Sequence, residues 1–216
     1  MKLQSKEYQH YRVAMLVCLA MSFLVGVFVA VYGRQESFLF INGSNSTRLD
    51  YFFTYLTYLG DGIIWVPLFL YVLLYKRHYF MMVLASLVIC TFLTHFLKRV
   101  VFADEARPLR ALHDLARAVP LMNGKDAYAN SFPSGHTSTA FTLALLLAII
   151  INKKWAAVFF PLIAFFVGYS RVYLAQHFVT DVLAGTLIGI LSSWLALVIY
   201  DAYRRKKAAK TEALST

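Results

Sequence analysis

Six apolar runs divide this chain. Residues 13–33 carry no charge over 21 positions, residues 62–75 and 79–97 follow, and residues 135–151, 155–168 and 179–200 complete the set. A helix needs about 20 apolar residues to cross a hydrocarbon core of about 30 Å, so each run reads as a crossing, the shorter ones extended by their flanks. Charge closes most of them: Lys76-Arg77-His78 after the second, Lys98-Arg99 after the third, Lys153-Lys154 after the fourth. The first run is too long for a signal-peptide core and lacks a small-x-small cleavage site after it, so it reads as an uncleaved span. The pattern predicts an all-α bundle of six transmembrane helices. A polar segment 1–12 precedes the membrane domain 13–203, and a basic tail 204–216 follows it.

Between the runs lie two polar stretches. Asn42-Gly43-Ser44-Asn45-Ser46-Thr47 is a turn cluster in which Ser46 or Thr47 can cap a helix. The two sequons within it, at Asn42 and Asn45, read as turn chemistry. The aromatic-rich segment 49–59 belongs at an interface or opens the next span. Residues 98–132 form the one long polar connection.

Composition agrees with the pattern. Hydrophobic residues make up 60% of the chain and charged ones only 15%, with a mean hydropathy of +0.61. A net charge of +10 would suggest a nucleic-acid partner in a soluble protein, but here the charges sit at the ends of apolar helices, so lipid is the expected partner and nucleic acid is not. Cys18 and Cys90 lie inside apolar runs and read as buried hydrophobes. The short turns on the side of the termini are purely basic, whereas most acids fall on the other side. The positive-inside rule therefore predicts both termini in the cytoplasm and the polar motifs on the opposite face.

Those motifs are compact. His177 and Asp181 are four apart at the start of the last helix, on one face, where a carboxylate can fix the imidazole tautomer and leave the other ring nitrogen free as nucleophile or base. Arg171 precedes them across a short turn, and its planar guanidinium matches two phosphate oxygens. Pro133-Ser134-Gly135-His136 opens another helix, whose unpaired amides and dipole suit an anion. Lys98, Arg99, Arg107 and Arg110 follow the third run and can either neutralise a bound phosphate or meet anionic headgroups. Singly, each is also a cap, a helix-end pairing or a membrane anchor; together they converge on one face from three helix ends.

With these residues the chain resembles the type 2 phosphatidic acid phosphatase family, membrane lipid phosphatases that share their site with the vanadium haloperoxidases. Lys98 stands before Arg107-Pro108, Pro133-Ser134-Gly135-His136 is complete, and Ser170-Arg171 is followed after five residues by His177 and then Asp181. The family usually places six residues between lysine and arginine; eight intervene here. The resemblance implies that His177 attacks phosphorus to give a phosphohistidine, that Asp181 orients it, and that His136 protonates the leaving oxygen and later activates water. Lys98, Arg107, Ser134, Gly135 and Arg171 would bind phosphate. No metal and no cofactor is expected. The implied substrate is a lipid phosphate or diphosphate, undecaprenyl diphosphate ranked ahead of lipid A. The implied location is the bacterial cytoplasmic membrane, with the site facing the periplasm or cell exterior. A lipid phosphotransferase would use the same residues. A transporter with an anion vestibule is the competing class, but it would place polar groups nearer the bilayer midplane. Gly185 and Gly189 suggest close helix packing; His95, one turn before Lys98, reads as a packed interhelical hydrogen bond ahead of a residue that tunes the site.

Overall fold

The computed structural model describes residues 6–43, 46–112, 114 and 129–215; Ser44, Asn45, His113, Arg117 and Lys125 lie outside them. The described residues are helical almost throughout. Helix α1 spans Lys6–Asn42 and is broken at Gly33, where φ is +76° and ψ 171°. Only a residue without a Cβ takes that conformation cheaply. Beyond it the chain folds back, so that the Phe40 ring lies 5.8 Å from Phe28 and 6.3 Å from Tyr32. In a straight helix twelve residues would separate by about 18 Å.

Helix α2, Thr47–Leu56, is capped by Ser46, whose side chain accepts from the Leu49 amide. Two 3-10 turns, Thr57–Gly60 and Gly62–Ile64, lead into α3, Trp65–Tyr75. Helix α4 is Phe80–Phe96, α5 the single turn Pro108–Ala111, α6 Gly135–Ile151, α7 Ala156–Tyr173 and α8 Val179–Ser215. The basic segment after residue 203 continues α8 as helix.

Helix α6 is the axis. Its residues from Thr137 to Ile150 are buried nearly all round, among α1, α4, α7 and α8. Two glycines let α8 approach it. A Cβ on Gly185 would lie 2.6 Å from the Ser134 carbonyl, and one on Gly189 2.7 Å from the Phe141 Cβ and 2.9 Å from the Ser138 carbonyl. The exposed faces of the outer helices are apolar (Leu16, Phe23, Leu74, Phe92, Leu162), as a lipid-facing surface requires.

The expectation of six transmembrane helices needs correcting. Among the described residues four helices are long and apolar enough to cross a membrane: Tyr8–Asn42, Arg77–Val101, Ala156–Tyr173 and Val179–Lys207. Thr47–Gly60 and Gly62–Tyr75 make a fifth only if counted as one span, and they are bent by 54° at their junction. The run at 62–75 is thus the second arm of a broken element. Helix α6, at 17 residues, rises about 25 Å, short of a full core. Hydrophobic runs alone do not separate a lipid-facing span from a helix buried inside protein. The cytoplasmic placement of both termini rests on basic turns assigned to alternate sides of six crossings, and with four or five crossings that alternation no longer assigns the sides. What the structure shows is that the terminal ends meet. Tyr8 donates to Asp201 at 3.0 Å, and His10 bonds Asn152, past the far end of α6, at 2.8 Å. Both lie at the opposite end of the bundle from Ser134 and His177.

Candidate active site

Three helix ends and two connecting segments meet at that opposite end. The first is the start of α6. Ser134 is its N-cap, and its hydroxyl oxygen accepts from both the amide and the hydroxyl of Thr137. Its own amide donates to the Asp181 carbonyl at 3.0 Å. With both lone pairs engaged, the Ser134 hydroxyl retains its proton for a ligand. The amides of Gly135 and His136 follow in the unpaired first turn, aligned with the positive end of the helix. A Cβ on Gly135 would meet only Thr94 Cγ2, at an ordinary 3.6 Å. The space beside this first-turn amide is therefore not filled by the protein's own backbone.

The second corner joins α7 to α8. Arg171 is buried in the last turn of α7; its NH1 donates to Thr57 Oγ1 at 2.8 Å, while its Nε has no protein partner. The chain then turns on the Arg171 carbonyl, which accepts from the amides of Gln176 (2.9 Å) and His177 (3.1 Å). Ala175 takes a left-handed conformation, φ +55°, to close this turn. His177 Nδ1 lies 3.4 Å from Asp181 Oδ2, with 2% and 0% of the two side chains exposed. The contact is of ion-pair length but outside hydrogen-bond geometry. Asp181 is held independently of it: Oδ2 accepts from Ser131 Oγ and from the Phe178 amide, and Oδ1 from Thr180. Burial, reinforced by the positive charges of Arg107, Lys98 and Arg171, pushes the His177 pKa well below its usual value, so the imidazole is neutral near pH 7.

Lys98 and Arg107 supply the third corner. Residues Leu97–Val101 form a π-helical turn, closed by the Phe102 amide on the Leu97 carbonyl at 2.8 Å. Such a turn fits an extra residue into a helix without unwinding it. It accommodates part of the long spacing between Lys98 and Arg107. Lys98 remains half-buried and within electrostatic range of Arg107, Arg171 and Asp181, whereas Arg99 is exposed. With its amide nitrogen turned inward, Asn130 donates to the carbonyls of Lys98 (3.1 Å) and Ala103 (2.9 Å). Arg107 donates through Nε to the Ala129 carbonyl at 3.1 Å, and through NH1 to Gln176. Burial makes its proton easier to lose than that of a free arginine, and the negative charge of Asp181 opposes this.

All eight residues singled out from the sequence therefore gather here. His136 is in electrostatic reach of Arg171, His177, Lys98 and Arg107. It also lines a cavity of about 300 Å³ with Gly60, Thr91, Thr94, His95 and Thr139. His95 is thus an exposed cavity residue rather than a packed interhelical one. Among the described residues no three His, Cys, Asp or Glu side chains gather as metal ligands.

Sequence reasoning missed Ser131, Gln176, Thr57 and Asp61. Ser131 and Gln176 adjoin the motifs, and adjacency was a usable signal. Thr57 and Asp61 come from the turns between α2 and α3, far away in sequence, and carry no local signature. Asp61 Oδ2 lies 3.8 Å from His136 Nε2.

The family model of the PAP2 superfamily matches residues 79–205, spanning α4 to α8 and every one of the eight residues. The chain belongs to the PAP2 superfamily. It is 34% identical over 172 residues to a lipid A 4'-phosphatase of Bacteroides thetaiotaomicron, covering 73% of this chain and 72% of that one. An undecaprenyl-diphosphatase of Sulfolobus acidocaldarius is 28% identical over 200 residues, 88% of this chain and 93% of that one. The crystal structure of Aquifex aeolicus LpxE superposes with a TM-score of 0.67 at 32% identity, over 76% of this chain and 94% of that one. This PAP2 protein is an integral membrane hydrolase of the lipid phosphatase class.

Proposed function

We propose that this PAP2 protein removes the phosphate of a phosphorylated glycolipid through a phosphohistidine intermediate, at the outer face of a bacterial cytoplasmic membrane. The observation that carries the mechanism is the pairing of a buried, neutral His177 with Asp181 behind its Nδ1. Nε2 is left free to attack phosphorus in line with the leaving oxygen. As the P–O bond breaks, His136 gives that oxygen a proton. His136 then takes a proton from water, which attacks phosphorus and breaks the P–N bond, restoring His177 and releasing phosphate. Lys98, Arg107 and Arg171 neutralise the equatorial oxygens, with the Ser134 hydroxyl and the Gly135 amide as further donors. The donor set is cationic and amide in character, suited to phosphate directly rather than to a divalent ion.

The glycolipid assignment follows from the leaving-group side. His136 must stand beside the departing oxygen, so the lipid moiety extends into the cavity that His136 lines. Its other walls combine the hydroxyl and imidazole groups of Thr91, Thr94, His95 and Thr139 with the apolar Trp65, Leu87 and Cys90, a mixed lining that offers hydrogen bonds to a sugar as well as contact to apolar groups. The resemblance to a lipid A 4'-phosphatase supports the same reading. Undecaprenyl diphosphate is the second reading, supported by the similarity to an undecaprenyl-diphosphatase along most of the chain.

A panel of lipid A, undecaprenyl diphosphate, phosphatidylglycerophosphate and phosphatidate, assayed for phosphate release with His177→Ala alongside, tests both points. Lipid A should be hydrolysed fastest, with EDTA present, and the variant should be inactive. A variant as active as the wild type, or a requirement for added magnesium, would refute the histidine mechanism; preference for undecaprenyl diphosphate would refute the glycolipid assignment. Labelled phosphate that passes to a second lipid rather than to water would make the protein a phosphotransferase.

A further inference from the structure

Asp61 stands beside His136 with no part in the chemistry above, and three independent contacts put it there. The first is steric: a Cβ on Gly60 would lie 2.6 Å from the His136 carbonyl and 3.0 Å from its Cβ. Only glycine lets the turn between α2 and α3 come this close to the first turn of α6. The second is the cap: Asp61 Oδ1 accepts from the Ile63 amide at 3.0 Å. One carboxylate oxygen is thereby fixed, and the other is turned toward His136 Nε2 at 3.8 Å. The third is Thr57, a turn earlier, which accepts from the buried Arg171. The same short segment thus touches two members of the site, one through a hydroxyl and one through a carboxylate.

Charge explains why a carboxylate belongs there. To act as an acid, His136 must hold a proton while facing Arg171 from α7, His177 from the turn before α8, Lys98 from the π-helical turn and Arg107 from the loop beyond it. His95 of α4 shares its cavity. All of these are cationic or can become so. Asp181 lies behind His177 and is committed to Ser131 and Phe178. Asp61 supplies the negative charge on the cavity side.

We infer that Asp61 is a positioning residue for His136: it engages Nε2, leaves Nδ1 of the doubly protonated ring to give the leaving oxygen its proton, and sustains that protonated form. This rests on the acid-base role of His136 proposed above. Ligand binding need only shorten the contact by under 1 Å for a hydrogen bond to form.

Asp61→Asn is the informative variant, because asparagine keeps the cap on Ile63 and removes only the charge. On the fastest lipid phosphate of the panel it should lower kcat about tenfold, the scale of one pKa unit, with KM changed far less. Its alkaline limb should move about one pH unit lower, because His136 loses its proton sooner without the carboxylate. Asp61→Glu should restore most of the rate. Wild-type kcat and an unmoved pH profile in Asp61→Asn, with His136→Ala inactive, would overturn the Asp61 inference alone. So would equal losses in Asn and Glu variants with an unmoved profile, which would mark a purely structural residue. An active His136→Ala would instead overturn the role of His136 on which the inference rests.

Discussion

Arg107 binds the residue that precedes the proposed nucleophile at two points. Its NH1 donates to the backbone oxygen of Gln176 at 3.3 Å and to the side-chain oxygen at 3.0 Å. Gln176 is 3% exposed, so the pair ties the loop after α4 to the turn that presents His177. The side-chain bond is charge-assisted, worth about 1.5–3 kcal/mol. Gln176→Ala should therefore lower kcat/KM about tenfold to a hundredfold by releasing the Arg107 guanidinium. Gln176→Glu should raise KM for the phosphate substrate, because a full charge on that oxygen competes with phosphate for Arg107. Steady-state kinetics on both variants checks this.

The lowered pKa of His177 sets an acid limit. An attacking imidazole must be neutral, and here neutrality persists well below the usual histidine range near pH 6.5. Loss of activity through His177 should thus begin only well below pH 6.5. The same shift has a consequence for stability. The folded state resists protonation that the unfolded chain accepts, so stability is fully present above about pH 6.5 and falls as pH drops through the folded-state pKa. A pH–rate profile and a thermal melt series from pH 8 to pH 4 in detergent test both signs.

Lys98 and Arg99 are adjacent but should differ sharply. Lys98 is half-buried in reach of Arg107 and Arg171, and Arg99 is exposed. Removing a cation that stabilises developing phosphoryl charge costs about a hundredfold or more in kcat. Lys98→Ala should show that loss, as should Arg107→Ala, while Arg99→Ala should stay within about twofold of wild type. The phosphate-release assay on the three variants decides it. A larger loss at Arg99 would mean that the π-helical turn does not hold Lys98 at the site.

Helix α8 can approach α6 only where it lacks side chains. A Cβ on Gly189 would sit 2.7 Å from Phe141 Cβ and 2.9 Å from a backbone oxygen, neither able to swing aside as a flexible side chain would. Gly189→Ala should cost about 1–3 kcal/mol, typical of overpacking. Gly62→Ala, where a Cβ meets nothing within 4 Å, is the matched control. Melting temperatures in detergent should fall for the first and hold for the second. Because the same approach carries the Ser134 amide to the Asp181 carbonyl, Gly189→Ala should also lose activity.

Local chemistry made much of this protein legible in its sequence. Helix, apolarity and the partner lipid follow from composition and run length. Gly33 ends the first apolar run, and that position is where the chain breaks and folds back. Ser134-Gly135-His136 declares a helix start, because capping chemistry acts within one turn; His177, expected on one helical face with Asp181, instead lies in the turn before α8 and meets Asp181 from there. Tertiary structure decided the rest. Run length could not say that α6 is enclosed by protein, since burial among helices and immersion in lipid favour the same residues. It could not say that residues 47–75 form one element bent by 54°, since bending depends on what each half packs against. Nor could any pattern place Thr57 on Arg171 or Asp61 near His136. Those pairs are separated by 114 residues and 75 positions, and only the close approach permitted by Gly60 brings the bent element against α6 and α7.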